Sequence, residues 1–319
     1  MNISNESSGF RIAHLSDTHI SPEYNRFNIV KLKNLLSFIV DDRYDHVVIT
    51  GDVTGHAEWR DYRSIRRLLK YFGLLEYEKL SVTIGNHDIF GGVHRAEDLL
   101  SFGKHCRDTN YHQKIELFER TFAETFPVKA FPNESPFPYV KIVGPVALVG
   151  MNSIAKFHAL RNPVGSNGYV SSAQIGAVTR ILRHPSIEEL KKIALIHHHF
   201  NRYEPYADSI SERVYSLFEA RTLKLRRRRQ VEDVFRENKV DLVLHGHTHI
   251  EGIYSRSGIT YSSTALNPVR SRIDSHHDVD RLRFNEISIL DNGLIETRKH
   301  RVAVHSRGSS SKTLDKRFS

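Results

Sequence analysis

The 319-residue chain holds one cysteine, Cys106. That count excludes an internal disulfide and any zinc cage built on cysteine, and it leaves histidine, carboxylate and amide as the pool for a metal site. No apolar run approaches the roughly 20 residues that span a bilayer. The start MNISNESSGF has neither a basic n-region nor an apolar h-region, so a soluble, cytoplasmic protein with no membrane span is expected. Acidic residues are the minority charge, 37 against 46 Lys and Arg, and the net charge of +9 favours an anionic partner. Histidine, by contrast, is plentiful. Three of the 20 fall within VDLVLHGHTHIEG, where His245, His247 and His249 follow a run of apolar residues. Side chains alternate along a strand, so His247 and His249 point the same way and could grip one ion or two adjacent ones.

Short apolar runs alternate with longer amphipathic ones in the first half, the pattern of α/β layering. FRIAHLSD, HVVITGD and LSVTIGNHD read as strands. Between them, NIVKLKNLLSFIVDD puts Ile29, Leu32, Leu36 and Ile39 on one helical face. AEWRDYRSIRRLLKYFG buries Tyr62, Ile65, Leu69 and Phe72, turns its arginines outward and stops at Gly73. Residues 89–139 read as an inserted excursion and partial lid, with a Gly-Gly hinge, one helix (HQKIELFERTFAETFP) and a loop (FPNESPFP). YVKIVG, VALVGMNS and KKIALIHHHF are further strands, and SSAQIGAVTRILRHP is a helix stopped by Pro185. A charge-rich helical segment over 208–238 carries Arg226 to Arg229, and the rest reads as hairpins, with Asp291-Asn292-Gly293 as a turn signal. One domain over 1–304 is expected, followed by a flexible basic tail over 305–319.

Each strand ends in a polar cluster, and ligands collect beyond the carboxyl ends of strands in such sheets. In order these are Asp17-x-His19, Gly51-Asp52, Gly85-Asn86-His87-Asp88, the histidine run 197–199, and Gly246-His247-x-His249. From Phe10 to about Asn267 this series resembles the calcineurin-like metallophosphoesterases, whose blocks are D-x-H, G-D, G-N-H-D/E, H and G-H-x-H. The resemblance implies a two-layer β-sandwich flanked by helices, an α/β fold with two divalent metal ions. Nitrogen and oxygen ligands suit manganese, iron, zinc or cobalt. It assigns Asp52 as the bridging ligand, Asp17, His19 and His249 to the first metal, and Asn86, His197 and His247 to the second. His198 competes with His197 for its place, and alignment from the strand end favours His197. The resemblance also makes His87 a catalytic group at the departing oxygen, with Asp88 orienting its ring; turn capping is the other reading of Asp88. His245 is expected in a supporting position, and Gly51, Gly85 and Gly246 are expected to let the backbone approach the metals.

Absences narrow the branch. In GDVTGHA, Gly55 and His56 stand where serine/threonine phosphatases of this superfamily carry Asp and Arg, and Gly55 where purple acid phosphatases carry an iron-binding tyrosine. Lipid A precursor hydrolases usually have arginine in the third block, where this chain has His87. HLSDTHI, GNHD, NGYVSSAQIGAV and VDLVLHGHTH are similar to the class III cyclic-nucleotide phosphodiesterases. The expectation is a phosphodiesterase acting on small phosphodiesters such as cyclic nucleotides, by in-line attack of a hydroxide held between two metals. The alternative is a metal-dependent DNA nuclease that sets Arg226 to Arg229 against phosphates. Against it, LKLRRRRQVEDVFRENK reads as a solvated helix with i,i+4 pairs such as Arg228 to Glu232. A non-enzymatic metal-binding scaffold is the third class, but such proteins lose ligands and none is missing here.

Overall fold

In chain order the elements are β1 (Phe10–Leu15), α1 (Arg26–Asp41), β2 (His46–Thr50), α2 (Trp59–Tyr71), β3 (Leu80–Thr83), α3 (Asp98–Asp108) and α4 (Tyr111–Thr121). There follow β4 (Tyr139–Val143), β5 (Val146–Gly150), β6 (Gly168–Tyr169), α5 (Ser172–Leu182), β7 (Lys191–Leu195), β8 (Leu225–Arg226), α6 (Arg228–Glu237) and β9 (Leu242–His245). β10 (Gly252–Arg256), β11 (Ile259–Ser263), β12 (Arg281–Ile289) and β13 (Ile295–Ala303) complete the set. The structure is a computed structural model and describes residues 9–93, 98–128, 135–201, 223, 225–266 and 281–303.

The strands form two main sheets, ordered β13-β12-β1-β2-β3 and β10-β11-β9-β7-β5-β4, with a small β6-β8 pair beside them. β1, β2 and β3 run parallel, as do β5, β7 and β9. These strands are largely apolar because both their faces are covered. One face of each sheet meets the other sheet, where Ile12 and Val48 join Leu148, Leu195 and Leu244 in a shared layer. The outer face of the first sheet is covered by α1 and α2, with Leu32, Leu36, Tyr62 and Leu69 in one core. The outer face of the second is covered by α5 and α6, with Val178, Val231 and Phe235 in another. This is the two-layer sandwich flanked by helices that the sequence leads one to expect.

Three details differ from expectation. Residues 89–139 hold two α-helices among their described part, and Phe118 of α4 and Phe122 just after it, both fully buried, enter the first core. Helix α4 is therefore part of the first core. In the charge-rich stretch only Arg228–Glu237 is helical among the described residues, and 202–222 lie outside them. Arg226 sits in β8, and Arg227 precedes α6 at φ 62°. The expected tail over 305–319 also lies outside the described residues.

Candidate active site

Parallel strands send their carboxyl ends to one edge of the sandwich, and there the chain turns through unusual backbone. Asp17, His19, Asp52, His247 and His249 all have positive φ, between 43° and 75°. A non-glycine residue in that region costs about 1–2 kcal/mol, and such strain persists only where the surroundings over-determine it, commonly at functional sites. Here neighbouring strand ends tie the turns together: the Asp17 amide donates to Gly51 O at 3.1 Å and the His19 amide to Asp52 O at 2.9 Å.

Two groups of donor atoms converge on this edge, Asp17 with His19, Asp52 and His249, and Asp52 with His197 and His247. Asp52 belongs to both. Its Oδ2 lies 3.8 Å from His19 Nε2, and its Oδ1 lies 3.4 Å from His197 Nε2. Asn86 completes the second group, with Oδ1 3.1 Å from His197 Nε2. The structure thus brings together all seven residues assigned to metals from the sequence, in the same two sets.

The donor chemistry suits cations. His19 and His249 face each other Nε2 to Nε2 at 3.0 Å, and His247 Nδ1 faces His197 Nε2 at 3.1 Å. Two imidazole lone pairs cannot satisfy one another without a proton or a metal between them. His247 Nε2 is buried with no hydrogen-bond partner. Oxygen and nitrogen donors, with no sulfur among them, match first-row divalent ions.

Electrostatics follow from two buried carboxylates in a ring of histidines. Burial would raise Asp52 and Asp17, but His197 and His249 hold them below the usual carboxylate range. Burial would likewise lower His197, yet Asp52 and Asp17 carry it up to about 9. His19, with less carboxylate contact, is pushed down to about 3 by burial and then by His87.

The histidine run separates cleanly. His197 Nδ1 lies 2.8 Å from Thr50 O, so the ring donates there and turns the Nε2 lone pair toward the cluster. His198 points away, with Nδ1 on Ser153 Oγ at 2.8 Å and Nε2 near Ser166 O at 3.2 Å. His245 bonds Tyr254 Oη at 2.8 Å, a supporting position as expected.

His87 stacks edge-on against His19, ring centroids 4.4 Å apart, and its Nδ1 lies 3.2 Å from Gly55 O. That carbonyl, rather than Asp88, holds the ring. The Asp88 carboxylate instead accepts from the amides of Val53, Thr54 and Gly85 and from the Thr54 hydroxyl, at 2.8–3.2 Å. The reading of Asp88 as the group orienting His87 is corrected: it pins the β2 turn to the β3 turn. Thr50 O and Gly55 O were missed by sequence reasoning, because a backbone carbonyl leaves no residue-type signal.

Two glycines are required by close approach. A Cβ on Gly85 would fall on the Asp52 amide and carboxylate, and one on Gly246 on Ser16 Oγ and Asp17 Oδ2. A cavity of about 590 Å³ is walled by α4, the loop after β5, and Tyr169 and Arg226. None of the metal-assigned residues lines it, yet Asn152 does, and the next residue is the Ser153 that holds His198.

A family model described as calcineurin-like phosphoesterase matches residues 10–251. No curated protein matches the sequence. Among solved structures, a purple acid phosphatase from yellow lupin (Lupinus luteus) seeds aligns with a TM-score of 0.57 at 13% identity, over 93% of this chain and 52% of that one. A dimetal phosphatase from Danio rerio aligns with a TM-score of 0.55 at 13% identity, over 92% of this chain and 99% of that one. The chain therefore spans about half the length of the lupin protein. Likeness at this identity is likeness of fold.

Proposed function

The chain belongs to the calcineurin-like phosphoesterase family, and from that premise we propose that it hydrolyses small phosphodiesters, cyclic nucleotides among them, at a binuclear metal centre. The ligands are Asp17, His19, Asp52 and His249 for one ion and Asp52, Asn86, His197 and His247 for the other. The observation that carries this reading is the pair of donor groups sharing one carboxylate. Two divalent cations, when bound, supply Lewis acidity toward the phosphoryl oxygens and lower the pKa of water. Asp52 offsets the repulsion between two like charges held close together. Thr50 O fixes the tautomer of His197, and Asp17 is locked to the β9 turn by accepting from the His247 amide at 3.0 Å.

His87 is the residue we place at the departing oxygen. With Nδ1–H committed to Gly55 O, its Nε2 is the atom free to carry a proton to the leaving group. Gly55 and His56 stand where the monoester-clamping relatives carry Asp and Arg, which supports a diester monoanion over a monoester dianion. Helix α4 and the loop after β5 wall a cavity that would suit the larger of the two ester groups. The basic stretch lends the nuclease little support. Arg227 stacks on Tyr169 with its guanidinium 5.1 Å from the ring and bonds Ser172, while Arg228 lies 4.0 Å from Glu232.

A panel on protein loaded with manganese, iron, zinc or cobalt tests the reading: bis-p-nitrophenyl phosphate, p-nitrophenyl phosphate, 2′,3′- and 3′,5′-cyclic nucleotides, glycerophosphodiesters and DNA. Small diesters are expected to lead. Faster turnover of the monoester, or of DNA with a steep loss of binding as salt rises, overturns it.

A further inference from the structure

Large apolar side chains are exposed unevenly over this molecule. Among the described residues fourteen stand out, and six of them, Tyr24, Phe27, Val30, Val40, Trp59 and Tyr71, lie on or just before α1 and α2. Trp59 is 57% exposed and Tyr71 62%. The corresponding layer on the other sheet, α5 and α6, exposes none. A helix packed on a sheet needs one apolar face, and both α1 and α2 already have theirs buried. A second apolar set facing solvent marks an interaction surface.

Charge accompanies it. α1 and α2 together carry eight Lys and Arg against Asp41 and Asp61, and Asp61 is buried. The cations lie around the rings: Lys31 Nζ is 4.8 Å from the centre of Phe27, Arg60 and Arg63 are 5.7 and 5.8 Å from Trp59, and Lys33 is 6.0 Å from Tyr71. The last contact joins the two helices. At their other end Arg60 reaches Glu23 at 3.5 Å, and Tyr24 packs on His56 with centroids 4.6 Å apart. The face is therefore continuous and runs up to His56, next to the Gly55 that holds His87.

From this placement we propose that the outer face of α1 and α2 docks the protein on an anionic lipid surface. Two helices lying side by side on a sheet present a broad face. Aromatic rings interleaved with Lys and Arg suit the headgroup boundary, where apolar bodies enter and cations meet lipid phosphates. No helix among the described residues is long and apolar enough to cross a membrane, so this is attachment in the plane of the surface. A nucleic-acid strand fits less well. Bases need open aromatic faces, here occupied by cations, and Val30 and Val40 give a base nothing to stack on.

Trp59 is the only tryptophan in the chain, so the chain carries its own reporter on this face. Titration with vesicles of equimolar phosphatidylglycerol and phosphatidylcholine is expected to shift its emission to the blue, saturably, and to fail with phosphatidylcholine alone. High salt should reverse the shift, since at 1 M the screening length is about 3 Å. Each lost cation weakens binding about fivefold, so R60Q/R63Q, which keeps Trp59, should bind roughly 25-fold less tightly. Its thermal midpoint and its turnover of bis-p-nitrophenyl phosphate should match the parent. Vesicle binding with Trp59 unshifted, or binding undiminished in R60Q/R63Q, places attachment elsewhere and overturns the proposal. So does absence of binding, or quenching by a single-stranded oligonucleotide without any vesicle response, which would give the face to nucleic acid.

Discussion

Gly85→Ala adds one methyl group at the point where the β3 turn crosses the β2 turn. The new Cβ meets the amide nitrogen, Cα and Oδ1 of Asp52. Two of these are backbone atoms, and the third belongs to a carboxylate that accepts from the His87 amide at 2.8 Å. No flexible side-chain end can swing aside, so one turn has to move. Overpacking by a methyl group costs about 1–3 kcal/mol, and losing a hydrogen bond to a charged group about 1.5–3 kcal/mol. The sum is a large part of the roughly 5–15 kcal/mol that holds a domain folded. Asp52 is shared by both donor groups, so its displacement should weaken both metals, about 10–100-fold on the scale of lost supporting contacts. Thermal unfolding with and without manganese reads both effects. At a concentration 100 times Kd a metal adds about 2.7 kcal/mol, and in Gly85→Ala about 1.3–2.3 kcal/mol of that increment should disappear. Gly176→Ala is the control: its Cβ meets only the Arg180 guanidinium at 3.8 Å, and within α5 it should stabilise by about 1 kcal/mol. Native-like unfolding of Gly85→Ala, with the full metal increment, would falsify the crossing-turn account.

Other perturbations separate the roles of neighbouring residues. Asp52→Asn should reduce the bound metal count on both sites by elemental analysis, and two retained ions would refute the bridging role. His87→Ala should keep its metals while losing rate by ~10²–10⁴-fold, least with good leaving groups; a loss equal across leaving groups would remove it from the departing oxygen. Phe118→Ala should cost about 3–5 kcal/mol in urea unfolding, because α4 is part of the core; a cost under about 1 kcal/mol would refute that packing role. Lys141 donates to the carbonyls of Tyr77 and Leu80 at 2.9 and 2.6 Å, and burial pushes it down to about 7 from 10.5. The folded state then binds fewer protons than the unfolded chain between those values, so stability should rise with pH from about 7. Above about 9 the Cys106 thiol, pushed up by burial to about 12, acts in the opposite sense. Between pH 7 and 9 His197, carried up to about 9, also acts in the opposite sense, so the expected reading is a difference: the urea midpoint of the parent relative to Lys141→Met should climb from pH 7 to 9, and a constant difference would refute the assignment.

The strand-end residues were legible because metal chemistry demands particular side chains, and parallel strands deliver them to one edge in chain order. Asp17, His19, Asp52, Asn86, His197, His247 and His249 meet there for that reason. What supports them was not legible. The atoms that orient His197 and His87 are the carbonyls of Thr50 and Gly55, which every residue type supplies equally. Asp88 shows the converse limit: a carboxylate next to a histidine in sequence suggests a pair, whereas three backbone amides converging from two turns claimed it first. Helix α3 was missed although Leu99, Phe102 and Cys106 are spaced as one helical face, since Gly103 in its middle lowers helix propensity. The arginine run, read as a helix face with Arg228 paired to Glu232, does place those two residues 4.0 Å apart. Four like charges in sequence suggest one patch, but β8 ends at Arg226, the left-handed turn falls at Arg227 and α6 begins at Arg228, so successive guanidiniums face Tyr169 and Ser172 or Glu232. The continuous basic surface lies instead on α2, where Arg60, Arg63 and Arg67 recur at helical spacing around an exposed tryptophan, and the helix period rather than the count of charges brings them together.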